Sequence, residues 1–487
     1  MQDTNHHGDD QEHVRPWLDH RRLTGDHMST LSMTGWLLQL ALMVTAALAT
    51  APDACAAQAA PPAPFIVVSD EGSGVYPAGR DIIFTIKPGE GGTAADLATA
   101  TLKVLFNGTV ECAAERSLAD GVMTLRVKTA QPGSYRCDAA QPAVGKAPPV
   151  VISAGTIVAP EAIRAPVAEP PDFDAFWKAK KAALASQPLT SDLKPISAEL
   201  AKTIPKSASV DYECLDLTVN VPLEGIRPVR GLLSRPKVAK PGSCPAILYL
   251  HAAGVSGSIP KPWEGMNLAN EYGAIVLDIN AHGIPNDQPK DFYFQLEQHE
   301  LNGYKLMGIH NRDTVYFVGM YARLLQSVAF LSQQKEWDGR HLIAIGGSQG
   351  GGQALAIAGL DARVSAVSAG VPAMCNFSSV LHQSTSGWPN PVGCVRAQDQ
   401  AEVAAAVSYC DNVNLATRSK AETQIFVGLI DPVCPPQGIY AAFNNLTTRK
   451  TIIAHPHRGH SPVPKEDLWI GDDAALQKDF IKHHIAQ

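Results

Sequence analysis

Gly346-Gly347-Ser348-Gln349-Gly350 is the stretch whose reading decides the fold. Residues 341–345, His-Leu-Ile-Ala-Ile, are a short apolar run before it and read as a buried strand. Residues 351–358, Gly-Gly-Gln-Ala-Leu-Ala-Ile-Ala, follow and read as a helix. Strand, Gly-x-Ser-x-Gly, helix is the setting that makes a common pattern a nucleophile elbow. The serine must sit at a sharp bend so that its hydroxyl projects clear of the sheet. Glycines two before and two after let strand and helix backbones approach without a Cβ between them. Glycines at the start of a helix each cost about 1 kcal/mol relative to alanine, so their presence points to close packing. The competing reading is a glycine-rich turn whose serine only caps the helix.

The flanking chain favours the elbow. Strand-like runs at 246–250, 274–279, 342–345, 364–369, 424–430 and 451–454 alternate with helical stretches, the clearest at 313–331. Val/Ile/Leu-rich strands alternating with helices predict a parallel sheet covered on both faces, an α/β-hydrolase layout. A serine hydroxyl needs a base, and the base needs an orienting carboxylate; in this layout the chain order is Ser, acid, His. Asp431 follows the strand 424–430 and His460 follows the strand 451–454, so with Ser348 they form the candidate triad. His455 and His457 are rivals for the base and Asp361 is a rival acid. An oxyanion hole needs two backbone N–H groups. One is expected from Gln349, after the nucleophile. The other is expected from Ala253, with Ala252 as runner-up, in the loop His251-Ala252-Ala253-Gly254.

Upstream the pattern changes. Residues 61–155 carry short strand-like runs at 65–68, 81–86, 102–106 and 123–127 without a helical period, separated by turns such as Asn107-Gly108. They predict a small all-β sandwich, in which Cys112 and Cys137 are candidates for a cross-link. Residues 156–172 are rich in Pro and Ala and read as a linker, and residues 173–487 form the α/β domain. Residues 1–57 read as a signal-peptide region with an uncertain start. Its apolar core at 36–49 is too short for a comfortable membrane span, and small residues follow it at 54–57. The expectation is a secreted or periplasmic protein with no stable membrane insertion after processing. A net charge of −7 without a Lys/Arg run gives no reason to expect a nucleic-acid partner. No Cys-x-x-Cys or zinc-ligand spacing occurs, and no metal or cofactor is called for.

The stretch Gly-Gly-Ser-Gln-Gly-Gly-Gly, with Leu360-Asp361-Ala362-Arg363-Val364 and Val371-Pro372, resembles the acetyl xylan esterase / cephalosporin C deacetylase family, carbohydrate esterase family 7. Phe173 to Trp177 and Tyr316 to Tyr321 resemble that family's opening and its helix before the elbow. The resemblance covers about residues 170–487 and implies removal of O-acetyl groups from xylan or xylo-oligosaccharides by way of an acetyl-serine. It also implies a homo-oligomer, since the family often forms hexamers. The same residues would serve another small acyl ester, such as a feruloyl or antibiotic acetyl ester, and an inactive glycan-binding protein is the alternative of a different kind. One departure stands out. Where the family usually has Arg-Gly-Gln-Gly, this chain has Asn280-Ala281-His282-Gly283, which makes His282 a candidate either for substrate binding or for bracing.

Overall fold

The computed structural model describes residues 62–128, 131–142, 149–204 and 211–487. The signal-peptide region at 1–57 lies outside them. Nine strands come first: β1 (Phe65–Ser69), β2 (Val75–Tyr76), β3 (Ile82–Pro88), β4 (Thr101–Phe106), β5 (Val110–Glu111), β6 (Glu115–Ala119), β7 (Val122–Val127), β8 (Gly133–Gln141) and β9 (Val150–Val158). They form a four-stranded sheet, β1-β3-β7-β6, and a five-stranded sheet, β2-β9-β8-β4-β5. Alternating side chains such as Ile82, Phe84 and Ile86 on β3 face Tyr135, Cys137 and Ala139 on β8, and the two inner faces share one apolar core. One short helix, Ala94–Thr99, interrupts the strands; its start is written as a capping box between Thr93 and Asp96.

Cys112 and Cys137 are both free thiols. The Cys112 amide bonds to Val104 on β4, and Val104 pairs on its other side with Cys137 on β8. Two strand spacings, about 9–10 Å, separate them, beyond the reach of a disulfide.

The second sheet has nine strands: β10 (Ser191–Pro195), β11 (Tyr212–Val219), β12 (Val229–Pro236), β13 (Cys244–Leu250), β14 (Ile275–Asn280), β15 (Trp337–Gly347), β16 (Ala366–Gly370), β17 (Glu422–Gly428) and β18 (Lys450–His455). Their order is β10-β11-β12-β14-β13-β15-β16-β17-β18. The first three are antiparallel to their neighbours; from β14 to β18 every pair is parallel. The inner strands β13, β14 and β17 are buried on both faces, as their continuous apolar runs require. Helices α1 (Phe173–Ala185), α2 (Pro262–Tyr272), α3 (Tyr316–Leu331), α4 (Gln349–Leu360), α5 (Pro436–Asn445) and α6 (Asp473–Ile485) cover them. This is the α/β-hydrolase sheet, preceded by the β-sandwich.

The stretch 156–172 is more than a spacer. β9 continues into it as far as Val158, and Ile157 and Ile163 are buried in the core of the α/β layer. At its end Asp172 pairs with Arg312, 2.5 Å away. Apolar residues among the prolines gave this segment surface to bury. Residues 61–487 accordingly form one compact unit.

Candidate active site

β15 ends at Gly347 and α4 begins at Gln349, leaving Ser348 alone at the bend with φ 56° and ψ −121°. A non-glycine residue there is strained. The bend is held by the Ser348 N–H on the Gly370 carbonyl, at 2.8 Å. The flanking glycines are a matter of space. A Cβ on Gly350 would lie 2.1 Å from the Leu250 carbonyl oxygen, and one on Gly346 would lie 2.6 Å from the Gly350 carbonyl carbon.

Parallel pairing brings the C-terminal ends of β13, β15, β16, β17 and β18 to one edge, where open α/β sheets bind ligands. Asp431 lies three residues beyond β17 and His460 five beyond β18. Ser348 Oγ is 2.8 Å from His460 Nε2, and His460 Nδ1 is 2.8 Å from Asp431 Oδ2. The other Asp431 oxygen accepts the Val433 and Cys434 amides at 2.7 and 2.9 Å, which fixes the carboxylate's plane. The rivals are engaged elsewhere. His455 is fully buried against Asp473, His457 bonds Asp467 and the Val67 carbonyl, and Asp361 holds Arg363.

β13 and β15 are neighbours, so the 251–254 loop stands beside the elbow. Gln349 opens α4, and its N–H has no acceptor within the helix. Ala253 lies half-buried across from it in that loop. The loop is pinned at both ends. His251 Nε2 meets Asp278 Oδ1 at 2.5 Å, and the Gly254 carbonyl accepts His282 Nε2–H at 3.1 Å. Burial pushes the Asp278 carboxyl up to about 6, against the pull of His251.

His282 is held inside the protein by its neighbours. It is fully buried, and its second nitrogen, Nδ1, accepts the Tyr316 hydroxyl at 2.8 Å. Because a carbonyl only accepts, Nε2 carries the proton and the ring is neutral. Burial, with Arg323 nearby, pushes it down to about 4. His282 is a brace, and the substrate-binding role expected of it is corrected on that ground. The guanidinium of this turn comes from α3: Arg323 donates twice to the Ala281 carbonyl.

Among the described residues, two groups bring three metal-type donors within 4.8 Å of one another, Asp431/Cys434/His460 and His251/Glu264/Asp278. In the first, burial holds the Cys434 thiol protonated, and the other two members are bound to each other. In the second, His251 and Asp278 already pair to fix the loop.

With a serine, a histidine and a carboxylate in hydrogen-bonded series at an elbow, the comparisons with known proteins become decisive. The family described as acetyl xylan esterase (AXE1) matches residues 161–467. The chain belongs to the acetyl xylan esterase family. It is thereby a serine carboxylic ester hydrolase of the α/β-hydrolase fold. The acetyl esterase Axe7A of Xylanibacter ruminicola is 28% identical over 318 residues, 64% of this chain and 69% of its own length. The acetyl xylan esterase of Paenibacillus sp. R4 superposes with a TM-score of 0.53 at 25% identity, covering 66% of this chain and 98% of that one. Acetyl xylan esterase 1 of Thermoanaerobacterium sp. JW/SL YS485 shares the fold, with a TM-score of 0.55 at 23% identity over 67% and 97% of the two chains.

In this esterase the β-sandwich grips the catalytic loops. The Gly155 N–H on β9 donates to the Pro456 carbonyl at 2.8 Å, and His457 Nε2–H donates to the Val67 carbonyl on β1 at 2.9 Å. Both contacts lie in the loop that delivers His460. The Asn107 carbonyl accepts the Thr385 amide at 3.0 Å, and Ser134 Oγ donates to Gln437 Oε1 at 2.9 Å. The segment beyond Thr385 carries Trp388, whose N–H donates to the Val433 carbonyl beside Asp431. Trp388, Arg323 and the Val67 contact are not marked by any motif, because each meets a partner far away in sequence.

Proposed function

We propose that this esterase removes O-acetyl groups from xylan or xylo-oligosaccharides and that it works outside the cytoplasm. The observation that carries the reading is the hydrogen-bonded series Ser348–His460–Asp431 inside the family match. Ser348 Oγ attacks the acetyl carbonyl while His460 Nε2 takes its proton, and Asp431 steadies the imidazolium. The carbonyl electron pair moves onto oxygen, where the Gln349 and Ala253 amides receive it. Collapse expels the sugar alkoxide, which leaves with the proton from His460, and an acetyl-serine remains. Water, deprotonated by His460, repeats the sequence and releases acetate with the serine restored.

The names of the relatives support the acetylated glycan. The apolar segment at 36–49 supports export, and among the described residues no helix is long and apolar enough to cross a membrane. Acetate release from acetylated xylan, acetylated xylo-oligosaccharides, a small aryl acetate and a feruloyl ester tests the substrate. The proposal expects the acetylated xylosides to lead in kcat/KM; a feruloyl ester in first place would overturn it. Sequencing the N-terminus of the protein from culture fluid and cell fractions tests the location.

A further inference from the structure

Tyr304 lies in a short helical turn, Tyr304–Leu306, within the connection from β14 to α3, far along the chain from the triad residues. It is 7% exposed. Its ring meets His282 edge-on at 4.5 Å between centroids, with Tyr316 at 5.2 Å and Trp388 at 6.3 Å. Burial raises the phenol well above its ordinary range, so the hydroxyl stays protonated. That hydroxyl has two partners. It lies 2.7 Å from Gln349 Oε1 and 3.4 Å from the Gly254 nitrogen. An amide N–H only donates, so Gly254 donates to the phenol oxygen and the phenol's own hydrogen goes to Gln349.

In the proposed mechanism Gln349 and Gly254 stand at the two sides of the oxyanion pocket. One carries the amide that follows the nucleophile; the other is the neighbour of Ala253. We propose that Tyr304 is a positioning residue for acyl transfer, its single hydroxyl fixing the separation and direction of the Gln349 and Ala253 amides. The proposal rests on the serine-esterase reading of Ser348. Fixed dipoles stabilise a developing oxyanion because they need no reorganisation as charge appears. A ground-state carbonyl oxygen draws little on them, so their alignment shows in kcat and hardly in KM. No motif marks this residue; the topology alone brings its hydroxyl between the Gln349 side chain and the Gly254 amide.

Tyr304→Phe keeps the ring in its packing and removes only the oxygen. On a small aryl acetate, kcat is expected to fall about tenfold with KM within about twofold. A trifluoromethyl ketone, which forms a hemiketal oxyanion on Ser348, should weaken by the same factor as kcat/KM. Gln349→Met breaks the same hydrogen bond from its other end and keeps the backbone amide. It should behave alike, and the double variant should lose no more than the worse single one. The Gln349 variant is read in the same way if the phenylalanine variant does not fold. An unchanged kcat, a fall in kcat without weaker ketone binding, or losses that multiply would each overturn the proposal. Ser348→Ala is measured alongside. Turnover in that variant defeats the esterase reading itself, whereas an inactive Ser348→Ala beside a normal Tyr304→Phe defeats only the positioning role.

Discussion

In the proposed mechanism Ser348, His460 and Asp431 act as one unit, so losing either of the first two should cost nearly the whole of catalysis. Ser348→Ala and His460→Ala are each expected to lower kcat on an aryl acetate by roughly 10⁴-fold or more with unchanged circular dichroism. His457→Ala should cost about 1–3 kcal/mol of stability, because it leaves Asp467 Oδ1 and the Val67 carbonyl without their side-chain donor, and should lower the rate far less than His460→Ala does. Equal loss of rate in the His457 and His460 variants would reverse the assignment. His282 makes a prediction in pH. Its folded pKa of about 4 lies below the ordinary 6.5, so between those values the unfolded chain binds the extra proton. Stability contributed by His282 is therefore complete above about pH 6.5 and is lost as pH falls towards 4. About 2 kcal/mol should go between roughly pH 7.5 and 5. Denaturation midpoints of wild type and His282→Gln at the two pH values measure it: the variant starts less stable and falls less. Equal slopes would show that the ring is not held neutral.

At the scale of elements, β1 and β9 bring the β-sandwich into the catalytic machinery through Val67 and Gly155. The sandwich at 61–155 holds no cluster of catalytic residue types of its own. The structure makes it the support for the His460 loop. A chain beginning at residue 159 is accordingly expected to lose most activity on an aryl acetate and on acetylated xylan alike. Retained aryl acetate turnover with a defect on the polymer alone would show a separate binding module instead. The strands that were legible, such as β13, β14 and β17, are buried on both faces and spell continuous apolar runs. β10, Ser-Asp-Leu-Lys-Pro, is a largely exposed edge strand and has no such run to read. β8, Gly-Ser-Tyr-Arg-Cys-Asp-Ala-Ala-Gln, carries small and polar residues whose place depends on its partners.

Over the whole molecule, Ile157 and Ile163 carry the sandwich's chain into the core of the α/β layer, and Asp172, Arg312 and Tyr409 clamp the segment that follows. Contacts of this kind couple the stabilities of the two layers. Unfolding is expected as a single transition, with aryl acetate turnover, near-ultraviolet circular dichroism and tryptophan fluorescence lost at one denaturant midpoint. Two separated midpoints would mean that sandwich and sheet fold independently.

The α/β class, the elbow and the order Ser348, Asp431, His460 were legible because local chemistry demands them: a strained bend needs glycines, and a parallel sheet buried on both faces needs apolar runs. Which histidine follows β18 into the site was also readable, from loop length and the small Gly459. The sequence could place His282 at the correct edge but not say which way its ring pointed, since burial is a property of everything packed around it. Tyr304 and Val67 show the same limit more strongly. Each touches the site only because distant segments meet, and hydrogen bonds across such separations leave no spacing to read. Residue types and periods are written in the chain; the partners that hold a loop within tenths of an ångström exist only once it has folded.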